Sequence, residues 1–207
     1  MADILKPIAS LVVLALVWGI STATNNLNTN QRKNETQSYN LRMTRMLCID
    51  TPYLETKLLE CRTTLRRNQM PLLRIVIQVP NIYNYIMLQY NLYYKFKTYQ
   101  PFLMNGEVEG CSTLREIQRG VMQDPLTTYI WMIMEDMLPS IIVPCPHGNR
   151  TYVVDTVFKK EYAPRSVPAG DYRLDFRFAT ERNVTLLFVQ LFLSVRRKGV
   201  FNSMIEW

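Results

Sequence analysis

The side chains that could do acid–base or nucleophilic chemistry are few, and their spacing does not assemble a reaction centre. His147 is the only histidine in 207 residues, and it follows Cys145-Pro146 beside an Asn-Arg-Thr sequon, a context typical of a solvated loop. The acids Glu135 and Asp136 are neighbours on a predicted helix, so they diverge by about 100° and cannot face each other like glycosidase carboxylates. The G-x-S-x-G, P-loop, G-x-G-x-x-G and H-E-x-x-H motifs are absent from the sequence. We therefore expect a non-catalytic protein without a cofactor.

Four cysteines form the second group with chemistry of its own, namely Cys48, Cys61, Cys111 and Cys145. A tetrahedral metal site built without carboxylates would need all but one of its ligands to be thiolates, because the chain has a single imidazole. An even number of cysteines without a C-x-x-C pair favours disulfides over free or metal-bound thiols in an oxidising compartment. Four cysteines allow three pairings, and spacing alone does not choose among them.

The first 23 residues have the pattern of a secretory signal peptide. Lys6 precedes the weakly polar run 8–20, and the small residues Ser21 and Ala23 mark a cleavage site. The run has 13 residues, too few to cross a hydrocarbon core of about 30 Å. An uncleaved signal anchor is the alternative. We predict a secreted, extracellular protein with three surface glycosylation acceptors, Asn34, Asn149 and Asn183, each in an N-x-Thr sequon.

Composition indicates one globular domain. Apolar and aromatic residues make up 48% of the chain and charged residues 20%. The excess of 24 Lys and Arg over 17 Asp and Glu gives a net charge of +7, but in an exported chain this does not imply a nucleic-acid partner. The basic clusters Arg66-Arg67 and 196–198 either contact anionic headgroups or an acidic partner, or form an ordinary solvated face.

Hydrophobic alternation predicts an all-β fold, an antiparallel two-sheet β-sandwich with a short helical insertion near 112–138. We expect a flexible Asn-rich leader at 24–40, the sandwich at 41–195 and a basic tail at 196–207. The predicted strands are 41–49, 56–67, 73–79, 83–97, 141–145, 151–158, 172–179 and 184–195, and the predicted helices are 112–121 and 126–138.

Three segments carry more specific expectations. The strand at 73–79 should stop at Pro80-Asn81, and residues 99–106 should form a turn-rich connection. The strand at 83–97 should face the interior with its even-numbered residues, from Ile86 to Phe96. The strand at 184–195 is apolar on both faces, which predicts a central position with cover on each side.

Several short motifs occur in a fixed order along the chain. They are Cys61 with Arg66-Arg67-Asn68, Lys95 to Tyr99-x-Pro101-Phe102-Leu103-x-Asn105, Glu109 to Cys111, Cys145-Pro146-x-Gly148, and Pro168-x-Gly170-x-Tyr172. This order resembles a large insect family of small secreted proteins that carries a domain of unknown function. That family is related to the CheB chemosensory proteins and is distantly like the ganglioside activator protein and the ML lipid-recognition superfamily. Glu109 departs from the pattern, in which Asp is usual.

The resemblance implies an immunoglobulin-like β-cup whose two sheets separate to admit a lipid or another hydrophobic small molecule, in a chemosensory or reproductive setting. In such a cup we expect Cys48–Cys61 to join adjacent strands across the Pro52 turn and Cys111–Cys145 to tie the helical insertion to the sheet. The alternative is a secreted interaction protein with a filled core that modulates a membrane receptor or channel; the oligomeric state stays open. The candidate cavity residues are Ile86, Leu88, Tyr90, Leu92, Phe102, Trp131, Phe188 and Leu191.

Overall fold

Alternating apolar side chains form eight strands in the part of the chain that the computed structural model describes, residues 39–67, 69–121, 124–164 and 166–198. The expected signal peptide, Asn34, most of the leader and most of the basic tail lie outside these residues. The strands are β1 Tyr39–Cys48, β2 Lys57–Thr64, β3 Leu72–Tyr83, β4 Met87–Lys95, β5 Tyr99–Glu109, β6 His147–Val157, β7 Gly170–Ala179 and β8 Thr185–Arg197. The helices are α1 Gly110–Gln118 and α2 Pro125–Met137, with a 3-10 turn at Lys160–Tyr162.

The strands build two antiparallel sheets. The larger has the order β1-β8-β7-β4-β5 and the smaller the order β2-β3-β6. Inward residues of β3, including Leu73 and Ile75, are buried against inward residues of β7, including Phe176 and Phe178. Because strand residues alternate between faces, each sheet buries one face and leaves the other wetter. The predicted two-sheet β-sandwich with a helical insertion is therefore confirmed.

Strand β8 lies between β1 and β7 in the larger sheet, which confirms the predicted central position. Leu187 and Leu191 are buried toward the core, and Phe192 is buried on the opposite face. Leu186 also packs into the core, beside a register shift in the β7–β8 pairing. Part of the outer cover comes from Arg45, whose guanidinium carbon lies 4.1 Å from the Phe192 ring centroid. Such stacking lets an apolar ring remain on a solvent-facing surface.

The sequence-based boundaries are wrong in three places. Strand β3 continues through Pro80, because Pro80 lies at an irregular step in the β3–β6 pairing and its missing N–H leaves no ladder bond unmade. Residues 99–106 belong to β5, an edge strand that tolerates Pro101. The predicted strand 141–145 is a series of turns, since the N–H groups of residues 141 and 142 both donate to the carbonyl of Leu138.

Two disulfides join elements that are distant in the sequence. The Cys48–Cys61 pair has a Cα–Cα distance of 6.2 Å, and the Cys111–Cys145 pair 5.7 Å. The first was expected to join adjacent strands, but β1 and β2 belong to different sheets, so this bond links the two layers of the sandwich. The second links the first residues of α1 to the segment before β6, as expected for the helical insertion.

Glu109 connects the end of β5 to α1 and β4. Its carboxylate accepts hydrogen bonds from the backbone N–H groups of Cys111 at 2.9 Å, Ser112, and Ile86 at 3.3 Å. Burial raises the pKa of Glu109, but the bonds from Ser112, Cys111 and Ile86 outweigh it, and the net pKa is lowered from its ordinary value. The carboxylate thus satisfies N–H groups that a helix start leaves open.

Glu109→Ala should destabilise the fold by about 1 kcal/mol at pH 7, the usual cost of losing a helix N-cap. Because the folded-state pKa is depressed, the contribution is present above the unfolded pKa of about 4.3 and is lost as pH falls through the folded pKa. Urea unfolding at pH 7 and at low pH should show most of the difference disappearing in acid. Glu107→Ala, an exposed position on the same strand, is the control; equal losses for both variants at pH 7 would contradict the capping role.

Candidate functional site

An apolar, partly open cavity of about 230 Å³ lies under one end of the larger sheet. Its roof is the inner face of that sheet, and its floor is made by α2 and by residues 158–168, here called the strap, of which Arg165 is outside the described residues. The side chains that line it are almost all aliphatic or aromatic. From the sheet they include Leu41, Leu92, Phe102, Tyr172, Leu174 and Val195; from α2, Tyr129, Ile130 and Ile133; and from the strap, Phe158, Tyr162, Ala163, Pro164, Ser166, Val167 and Pro168.

The cavity is not where the resemblance placed it. Between the inner faces of the two sheets the spaces are only about 30 and 50 Å³, too small for a lipid. Phe176, Phe178 and Leu187 fill this region against Leu73 and Ile75 of the smaller sheet. The expectation that the two sheets separate is therefore wrong: the three-stranded sheet closes tightly on its part of the larger one, and the larger space opens where α2 and the strap replace it.

A larger groove of about 530 Å³ lies at the other end of the sandwich, beside the ends of β3 in the smaller sheet and β7 in the larger one. It is open and bordered by polar groups. The Glu55 carboxylate accepts a hydrogen bond from the Tyr83 hydroxyl at 2.8 Å and from Arg182 at 3.2 Å. An open polar groove does not shield apolar surface from water, so the cavity beneath β4 is the better candidate for a hydrophobic ligand.

Tyrosine hydroxyls hold the strap over the cavity. Four of them donate hydrogen bonds to consecutive parts of the backbone between residues 162 and 169. The hydroxyl and carbonyl partners are Tyr39 with Pro164, Tyr129 with Tyr162, Tyr172 with Pro168 at 2.7 Å, and Tyr94 with Ala169 at 2.9 Å. Since two prolines of the strap have no N–H and cannot join a ladder, its carbonyls need partners from side chains. These bonds fix its path without any strand pairing.

The ionisable groups around the cavity stay uncharged or paired. Burial raises the pKa of Tyr129 and of Tyr39, and raises that of Tyr172 to about 12, so these hydroxyls remain protonated donors at physiological pH. Asp136 on α2 accepts hydrogen bonds from Lys159 and from the Tyr162 hydroxyl, which lower its pKa. The cavity is thus lined by apolar groups, by tyrosine hydroxyls that are already hydrogen-bonded to the backbone or to Asp136, and by Ser166.

The eight candidate cavity residues are distributed over several places. Leu92 and Phe102 line the 230 Å³ cavity. Ile86, Leu88 and Trp131 line a separate space of about 30 Å³ beneath α1, and Leu191 lines one of the small spaces between the sheets. Tyr90 is core, with its ring against Gly106, where an added Cβ would lie 2.5 Å from the hydroxyl. Phe188 is on the opposite face of β8 from Leu187 and lines none of these spaces.

The strap residues were missed by sequence reasoning. Their signal is the segment Tyr162-Ala-Pro-Arg-Ser-Val-Pro168, which reads as a loop because two prolines interrupt it. Only the four tyrosines, which are scattered over residues 39 to 172, convert that loop into a wall. No local pattern links them to it, so this contribution was visible only in the structure.

His147 was expected in a solvated loop, but it begins β6 and is half-buried. It pairs with Tyr83 of β3, and its Nδ1 is buried without a hydrogen-bond partner. Burial lowers the pKa of His147, with a further contribution from Arg150. Its ring nitrogen lies within 4.8 Å of the sulfurs of Cys111 and Cys145, but a disulfide consumes both thiolates, so the three do not form a metal site.

Two predicted glycosylation acceptors are exposed at the surface. Asn149 and Asn183 both have left-handed backbones, with φ of 53° and 61°. Arg177 donates hydrogen bonds to the Oδ1 of Asn183 at 2.6 Å and to the Oγ1 of Thr185 at 2.9 Å, so it binds the first and last residues of that sequon. Glycosylation itself stays a prediction.

Comparison with known proteins adds a partial family match. The family model described as "Protein of unknown function (DUF1091)" matches residues 88–174, which include α2 and the strap. No curated protein matches the chain. Among solved structures, the chain is similar to a Niemann-Pick type C2 protein from Japanese carpenter ant, with 12% identity, a TM-score of 0.36, and coverage of 70% of this chain and 96% of that one.

A second solved structure that the chain resembles is chicken MD-1 complexed with lipid IVa. It is 11% identical, with a TM-score of 0.34, and the alignment covers 80% of this chain and 94% of that one. The all-β class of this chain follows from its own strand topology. Within the described residues, neither helix has the length and apolar character that crossing a bilayer requires.

Tyr129→Phe should loosen the strap while leaving the ring in the cavity wall. Loss of one hydroxyl–carbonyl bond should cost about 1 kcal/mol of unfolding free energy and speed hydrogen exchange of the amides at 163, 166 and 167. Tyr93→Phe, whose ring lies on the outer face of β4 under Arg173, is the matched control. Equal exchange in both variants and the wild type would show that the strap does not depend on this bond.

Proposed function

We propose that this protein is a secreted, non-catalytic binder of a hydrophobic small molecule, either a short single hydrocarbon chain or a small ring compound. The observation that supports this most directly is the 230 Å³ cavity, because its walls are mostly apolar and its tyrosine hydroxyls are already hydrogen-bonded within the protein. A ligand that binds there needs no polar group to match. Burial of its apolar surface is then the driving force.

The size of the cavity limits the ligand. Sites for drug-sized molecules occupy roughly 300–1,000 Å³, so this cavity accepts only a short chain or part of a longer one. Its 230 Å³ corresponds to about eight water-sized groups. At about 0.8 kcal/mol per buried methylene, an eight-carbon segment gains ~6 kcal/mol before ordering costs. Binding of this strength suits a carrier that also releases its cargo.

The lining favours binding over catalysis. Its polar side chains are the tyrosines and Ser166, whereas His147, the single imidazole, lines other and smaller spaces. A nucleophile needs a base within hydrogen-bond reach, and this lining does not supply one.

The proposal includes export and a chemosensory or reproductive setting. Export is supported by the leader pattern at 1–23 and by the two disulfides, and the setting by the resemblance alone. A second candidate function, modulation of a membrane receptor or channel by a protein with a filled core, is favoured by the small inter-sheet spaces of 30 and 50 Å³. The two differ in whether an apolar compound occupies the cavity.

Val167→Trp should block the cavity from the strap side. We expect the wild-type protein to bind the fluorescent probe N-phenyl-1-naphthylamine, and the variant to bind it at least ~tenfold more weakly because the indole occupies ligand volume. Val153→Trp is the matched control, since Val153 is 44% exposed on β6 and lines none of the spaces described above. Probe titrations by fluorescence give both affinities.

Native mass spectrometry of protein secreted by eukaryotic cells is the complementary measurement. A co-purifying apolar compound that is absent from Val167→Trp supports the binder. A wild-type protein that is ligand-free and also rejects the probe supports the filled-core alternative.

A further inference from the structure

Leu103 has an unusual conformation and position in β5. Its φ is +56°, in the left-handed region that leucine rarely occupies. It lies opposite a register shift between Asn91 and Tyr93 of β4, and its side chain is 84% exposed although it borders the apolar cavity. Local strain and exposed apolar surface therefore coincide at the mouth of the candidate binding site.

Protection of the sheet edge accounts for only part of this arrangement. β5 is an edge strand, and Pro101 together with the register shift would discourage pairing with another chain. Edge protection favours charged or polar side chains, and it gives no reason to hold a leucine in water. A β-bulge can also change the direction in which a side chain points, and this explains the exposed position of Leu103 better than edge protection does.

Phe96 is the second exposed apolar side chain at this end. It is 65% exposed in the turn between β4 and β5, although its even position in the alternating pattern predicted burial, because β4 ends at Lys95. Its ring contacts Tyr94 at 4.8 Å between centroids, and Tyr94 contacts Phe102 at 5.4 Å and Tyr172 at 5.1 Å. Since Phe102 and Tyr172 line the cavity, aromatic rings form a continuous path from the surface to the cavity wall.

Basic residues surround these two side chains. Five strand ends lie side by side here: the end of β4, the start of β5, the start of β7, the end of β8 and the start of β1. The strand pairing shows this through four residue pairs, which are Lys95–Tyr99, Tyr94–Tyr172, Gly170–Val195 and Tyr39–Arg197. Residues 39–41, 94–103, 170–172 and 194–198 contain one acid, Asp171, which pairs with Arg196 at 2.7 Å. They also contain five exposed basic residues, here called the basic edge: Lys95, Lys97, Arg196, Arg197 and Lys198.

We propose that Phe96 and Leu103, here called the lip, dock this end of the sandwich on an anionic lipid bilayer, with the basic edge against the headgroups. The inference rests on the proposed function, because docking would place the cavity mouth at a source or acceptor of apolar cargo. Exposed apolar side chains flanked by lysine and arginine match the two layers of such a surface, acyl chains below and negative headgroups above. An acidic protein partner would account for the basic edge, but it would not require the mouth of an apolar cavity at the centre of the docking surface.

Vesicle flotation with the full secreted chain tests the proposal. Wild-type protein should float with phosphatidylcholine vesicles that contain phosphatidylserine, and much less with phosphatidylcholine alone. High salt should weaken the binding because it screens the basic edge. If the protein does not bind the anionic vesicles, the docking proposal is wrong. A protein partner would then explain the surface better.

Variants separate the apolar and charged contributions, each with a matched control. Leu103→Asn, which suits the left-handed backbone, and Phe96→Ser should each reduce partitioning several-fold. Leu54→Asn should not, although Leu54 is 90% exposed, because it lies between β1 and β2 at the opposite end. Lys95→Gln combined with Lys97→Gln should reduce binding about tenfold at low salt, and Lys57→Gln with Arg182→Gln, exposed residues at the opposite end of the sandwich, should not. Equal effects of test and control variants would overturn the docking surface.

Probe binding by the wild-type protein without vesicles distinguishes this inference from the proposed function. A protein that binds N-phenyl-1-naphthylamine but not anionic vesicles overturns the docking proposal and leaves the binder standing. A protein that docks through the lip but rejects the probe supports the docking surface and overturns the proposed cargo.

Discussion

The arrangement of the cavity depends on hydrogen bonds from tyrosine hydroxyls to the backbone of the strap. A segment with prolines at 164 and 168 cannot contribute a regular ladder, so its carbonyls need donors from elsewhere in the chain. The hydroxyls of Tyr39, Tyr129 and Tyr172 supply these donors while their rings face apolar surface. Tyrosine does both tasks because one end of its side chain is apolar and the other polar. The strap therefore becomes a wall without becoming a strand.

The unequal widths of the two sheets explain where the space lies. Three strands cannot cover the inner face of five, and the uncovered part is met by α2 and the strap. Strand-on-strand packing interdigitates side chains to near-crystalline density, which leaves only the small spaces between the sheets. A helix and an irregular segment fit a pleated surface less closely. The apolar cavity is the consequence of that poorer fit at one end of the sandwich.

Prediction from the sequence succeeded where one periodicity decided the outcome. The alternation in 172–179 and 184–195 matches β7 and β8 to within two residues at each end, because burial of one face requires period two. Prediction failed where contacts with other strands or helices determined the local structure. Residues 99–106 have the sequence of a loop, but they pair with β4 and form a strand. The apolar run at 141–145 has the sequence of a strand, but the N–H groups of residues 141 and 142 donate to the carbonyl of Leu138 at the end of α2. Phe96 follows the buried pattern but extends past the last paired residue.

The sequence alone determined the all-β class, the helical insertion and the absence of familiar catalytic motifs, because these depend on composition and on local periodicity. Only the tertiary structure decided which apolar residues line a cavity and which fill the core. Leu92 and Phe188 are both apolar residues in predicted strands, but one borders the cavity and the other lies on the outer face. That difference arises from which strands become neighbours and which tyrosines reach the strap, and the contact between Tyr39 and Pro164 joins residues 125 positions apart.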